Sequence, residues 1–99
     1  MINHVVLLKL KGYPDAEKEA VLAKLKSGLE ALKNKIEQLK HLEVGLNYEL
    51  NAKSYDVCLI THFESFADLD IYRVHPEHLK VVELINEVTV DRAAVDFEF

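Results

Sequence analysis

The chain opens on INHVVLLKLK, residues 2–11, rich in β-branched and aliphatic side chains and ended by Gly12. That composition predicts a first strand. One face carries Ile2, His4, Val6, Leu8 and Leu10, apolar except for the histidine, and should pack under helices. The other carries Asn3, Val5, Leu7, Lys9 and Lys11 and is mixed. From Leu22 the period changes: Leu22, Leu25, Leu29, Leu32, Ile36 and Leu39 recur every three or four residues. Pro14 and the acids at 15, 17 and 19 favour a helix start just before this stripe. The same spacing is also a short heptad run, so a coiled coil rivals a helix packed on a sheet. The run covers fewer than three heptads and contains Gly28, which favours the sheet.

Strict alternation returns in LEVGLNYEL, 42–50, with Val44, Leu46, Tyr48 and Leu50 on one face. NAKS reads as a turn, and YDVCLITHFES, 55–65, as a third strand. Its faces, Tyr55, Val57, Leu59, Thr61, Phe63 and Asp56, Cys58, Ile60, His62, are both largely apolar, so it should be central and covered on both sides. Ser65 with Asp68 predicts a capped helix running to about Val74, where Pro76 restricts His75 and breaks the pattern. A second helical segment, PEHLKVVELINEV, should send Leu79, Val82 and Ile85–Asn86 to the core. RAAVDFEF closes as a strand with Ala93, Val95, Phe97 and Phe99 on one face.

The order is β-α-β-β-α-β, an α+β, ferredoxin-like arrangement with an antiparallel sheet, in one domain spanning 1–99. Helices in such a fold cover one sheet face. The other holds Val5, Leu7, Cys58 and Ile60, an apolar area that a monomer rarely leaves wet. A second copy packed about a two-fold axis is the simplest cover, so a homodimer is expected.

Twelve basic against seventeen acidic residues, net −5, argue against nucleic acid as a partner. A single cysteine, Cys58 in an apolar run, excludes an internal disulfide framework and reads as a small buried hydrophobe. The N-terminal apolar run is too short for a membrane span and lacks signal-peptide features, so a cytoplasmic location is expected.

Five segments in order, INHVVLLKLK, LEVGLNY, SYDVCLITHFES, YRVHPEHLKVVELI and AVDFEF, resemble the stress-responsive dimeric α/β-barrel (Dabb) domain family over nearly the whole chain. The resemblance implies a homodimer whose two sheets face each other as a barrel. Many members have no assigned reaction, and a plant branch includes a polyketide cyclase. In that branch a tyrosine–histidine pair does acid–base work between helices and sheet, and Tyr72 and His78 match it. His4 matches a pocket histidine on the opening strand. Where the cyclase has a further histidine on its third strand this chain has Val57, and His62 falls on the opposite face.

The expected pocket is therefore small and apolar, bordered by His4, Val57, Leu59, Tyr72 and His78, with His75 beside it. It should take a small apolar or aromatic ligand. The alternative is a cyclase-like enzyme in which the imidazole takes a proton beside a carbonyl and the phenol orients that carbonyl, with no cofactor. The same residues also have an architectural reading: His75 caps the segment starting at Pro76, while His78 and Tyr72 bond each other or a strand carbonyl. A metal is not expected, because Pro76 disturbs the turn between His75 and His78 and Glu77 should point elsewhere. His41, near the end of the leucine stripe, reads as an exposed residue suited to a helix C-terminus.

Overall fold

The computed structural model of the chain describes residues 1–48 and 53–99. Four strands, β1 (Ile2–Leu10), β2 (His41–Leu46), β3 (Val57–Phe63) and β4 (Thr89–Glu98), form one antiparallel sheet in the order β2-β3-β1-β4. Helices α1 (Asp15–Ala31), α2 (Phe66–Val74) and α3 (Pro76–Val88) connect them, giving a ferredoxin-like fold. The last two residues of the predicted second strand and the first two of the NAKS turn lie outside the described residues.

The two faces of β1 divide as the alternation predicts. Ile2, Leu8 and Leu10 are buried under the helices with Val57, Leu59 and Phe63 of β3 and Leu25 and Leu29 of α1. On the reverse face, Val95, Phe97 and Phe99 stay exposed in the single chain. Asn3 pairs with Phe97, Val5 with Val95 and Leu7 with Ala93, so the apolar side of β4 lies on this open face.

The leucine stripe and the first helix do not end together. α1 stops at Ala31, one 3₁₀ turn covers Leu32–Asn34, and Ile36 and Leu39 are buried from an irregular connection. The period marks which side chains reach the core, and the tighter turn lets the chain swing back to the sheet edge while they do so. This also moves His41. It opens β2 opposite His62 and stacks on that ring with centroids 4.6 Å apart, rather than sitting at a helix end.

Two further corrections concern the second half. Asn86 and Leu79 are both exposed; the core stripe of α3 is Val81, Leu84, Ile85 and Val88, one helical face. Asp56 is not on the open face but buried just ahead of β3, where it pairs with Lys18 Nζ at 2.7 Å and accepts from Leu10 N–H at 2.7 Å. That carboxylate ties α1 to the end of β1.

Candidate functional site

The break between α2 and α3 builds one wall of the site. His75 adopts an extended conformation (φ −63°, ψ 134°), as a residue before proline prefers, and its Nδ1 accepts from Glu77 N–H at 3.1 Å. The end of α2 then has carbonyls without helical donors. His78, in the first turn of α3, supplies one: its Nδ1–H donates to the Arg73 carbonyl at 3.1 Å. A carbonyl can only accept, so Nδ1 carries the proton and Nε2 holds the lone pair. Burial pushes the His78 imidazole below its ordinary value, keeping it neutral near pH 7.

The opposite wall is sheet. His4 of β1 lies across from Asp96 of β4, and His4 Nδ1 bonds Asp96 Oδ1. That pairing fixes the orientation of the His4 ring through Nδ1. Asp96 also accepts from Arg73 at 2.9 Å, and Arg73 reaches Asp70 at 2.8 Å. An Asp–Arg–Asp–His chain thus ties α2 to β1 and β4.

Tyr72 stands between these walls. Its ring is fully buried, 4.2 Å from the His78 ring centroid, 4.9 Å from that of Phe63 and edge-on to His4 at 6.4 Å. Among the described residues its hydroxyl has no hydrogen-bond partner. Burial raises its pKa well above that of an ordinary phenol, so it remains an O–H donor. Together these side chains border a half-open cavity of about 540 Å³ floored by Val6, Leu8, Leu29, Leu59 and Ile85.

Of the residues singled out in the sequence, His4, Leu59, Tyr72 and His78 come together here. Val57 is buried beside them in sequence but does not line the cavity, and His75 is held as the α3 cap. Asp96, Arg73 and Arg92 also line it and were missed. Asp96 and Arg92 fall on the helix-facing side of β4, a face visible in the alternation, but only the β1–β4 register sets the carboxylate against His4. No group of three or more metal-ligating side chains occurs among the described residues.

The chain belongs to the stress-responsive A/B barrel domain family, whose sequence profile matches residues 2–99. A stress-response A/B barrel domain-containing protein of Arabidopsis thaliana, DABB1, is 30% identical over 98% of this chain. The chain spans about half of that relative, 46% of its length. A dimeric protein of unknown function with a ferredoxin-like fold from Bacteroides fragilis is 35% identical, with a TM-score of 0.89 over 99% of this chain and 95% of its own. A dimeric ferredoxin-like protein of unknown function from Thermobifida fusca shares the fold at 23% identity, TM-score 0.85, over 99% and 90% of the two chains. Among the described residues no helix is long and apolar enough to cross a membrane.

Proposed function

We propose that this protein is a homodimeric member of its family that binds a small apolar or aromatic molecule in the cavity between α3 and the sheet. The observation that carries the ligand is the fully buried Tyr72 hydroxyl, left without a partner beside a cavity of ligand size. Such a group is costly unless something bonds it. The dimer is supported by the exposed Val95, Phe97 and Phe99 on the open face and by the dimeric relatives. We also propose a cytoplasmic location, which a reduced Cys58 fits.

Native mass spectrometry of protein released gently from its host's lysate tests both halves. A dimer with a reproducible extra mass is expected. A monomer would overturn the dimer. A bare dimer whose melting point no apolar or aromatic compound raises would overturn the ligand.

The same geometry favours a second reading, cofactor-free proton transfer on a carbonyl compound. The neutral His78 imidazole donates through Nδ1 and keeps Nε2 as a base, Asp96 orients the His4 ring, and a protonated phenol lies between the two rings. In this reading His78 removes a proton from carbon while Tyr72 donates to the carbonyl oxygen where negative charge develops. His78→Ala and Tyr72→Phe should then abolish turnover of a compound found by the mass measurement, with the fold intact. Full turnover in either variant would remove that residue from the chemistry.

A further inference from the structure

Charge is distributed unevenly around the cavity. The whole chain carries −5, yet the charged side chains lining the cavity are Arg73, Arg92 and Asp96, two cations against one anion. Arg73 is engaged by Asp70 and Asp96, and Asp96 also by His4. Arg92 differs: among the described residues its guanidinium has no carboxylate partner. Its neighbour Asp91 does not serve, because that carboxylate accepts from the Arg92 backbone N–H and from the Tyr55 hydroxyl, on the side of β4 away from the cavity.

The strand register gives the separation. Arg92 pairs with Leu8 and Asp96 with His4, four residues apart along β4. At about 3.3 Å per residue, the guanidinium end and the His4–Asp96 end are about 13 Å apart along the strand. Between them lie Val6, Ala94 and, on the helix side, Val82 and Ile85, all apolar. His78 stands within electrostatic reach of the Arg92 end, since burial first and the Arg92 charge beside it disfavour its protonation.

We infer that the cavity takes an elongated organic carboxylate. Its anionic head lies at Arg92, and its apolar body spans the strand toward the His4 and Tyr72 end of the cavity. A guanidinium is suited to this head because it offers a planar pair of donors to two oxygens and carries a charge that no pH change removes. This inference rests on the cavity being a ligand site and adds the ligand's charge and polarity.

The test uses pairs of compounds, aryl-alkyl and straight-chain carboxylates of eight to twelve carbons, each beside its primary amide. Titration is followed by calorimetry and by amide NMR shifts at His4, Tyr72 and His78. The intact protein should bind at least one carboxylate about tenfold or more tightly than its amide. Arg92→Gln should erase that preference, weakening the carboxylate to the level of the amide and leaving the amide unchanged. Arg92 is exposed, so the variant should keep the parent melting point, which is measured alongside. Equal binding of acid and amide by the intact protein, or a preference that survives Arg92→Gln, overturns the inference while leaving the ligand site standing. No binding of any compound at those three residues overturns both.

Discussion

The two faces of the sheet each hold a pair of histidines, and the pairs are treated differently. On the helix-covered face, His4 and His78 each bond an acceptor, Asp96 and the Arg73 carbonyl, so each ring is oriented through its Nδ1. On the open face, His41 and His62 stack on one another at 4.6 Å, with Phe99 4.6 Å from His62. Among the described residues His41 has one carboxylate partner, the exposed Glu43 at 3.4 Å. Imidazole chemistry depends on which nitrogen holds the proton, and that is decided by the second hydrogen bond. The covered face fixes the orientation of its imidazoles by hydrogen bonds; the open face leaves its pair as flat, weakly polar surface. The single thiol on the open face follows the same rule, since burial and nearby Glu43 raise Cys58 and keep it protonated.

The contrast breaks most visibly through the core. Leu29→Ala, a fully buried leucine beneath the cavity, should cost about 2–5 kcal/mol by denaturant titration. Val95→Ser on the open face should change the stability of the isolated chain by less than about 0.5 kcal/mol and shift the dimer–monomer balance instead. Equal losses at both would mean that the faces are not distinct.

Tyr72→Phe removes a buried hydroxyl that has no partner among the described residues, so the variant should be as stable as the parent or about 1 kcal/mol more stable. It should also lose an alkaline effect. The folded chain holds the phenolic proton above pH 10, where the unfolded chain releases it, so stability from this group falls as pH rises beyond 10.

His78 acts at the other end of the scale. Its folded value lies below the ordinary 6.5, so the unfolded chain binds the proton first as acid is added. Its contribution is intact above that value and declines as pH falls through it, levelling off below the folded value. Melting points of His78→Gln should therefore fall less between pH 7 and pH 5 than those of the parent. His62, also lowered by burial, leaves a slope of the same sign in that variant.

The smallest expected effect is a gain. Gly28 lies inside α1 with open space where a Cβ would stand, so Gly28→Ala should add about 0.5–1 kcal/mol. A loss there would mean that another surface covers this side of α1.

Periodicity determined the strands and the helix-facing side of β1 and β3, while residue chemistry marked the break at Pro76 and the cap by Ser65, whose Oγ accepts from Asp68 N–H at 3.1 Å. It did so because burial and local hydrogen bonding repeat with the backbone. It overran α1, since Leu32, Ile36 and Leu39 keep their spacing after the helix has tightened and ended. Tyr72, His78 and His4 drew notice through the resemblance of their segments to one family, and the fold brings them together around one cavity. The set of lining groups was not legible. Asp96 and Arg92 stand more than eighty residues from the β1 residues they face, His4 and Leu8, and meet them only through the antiparallel register of β1 and β4. Nor could the sequence show that the Tyr72 hydroxyl lacks a partner, because a missing hydrogen bond depends on every side chain packed around it. The pattern of the chain says which residues go inside; only the packed structure decides which are left unsatisfied there, and at that point binding becomes a physical expectation.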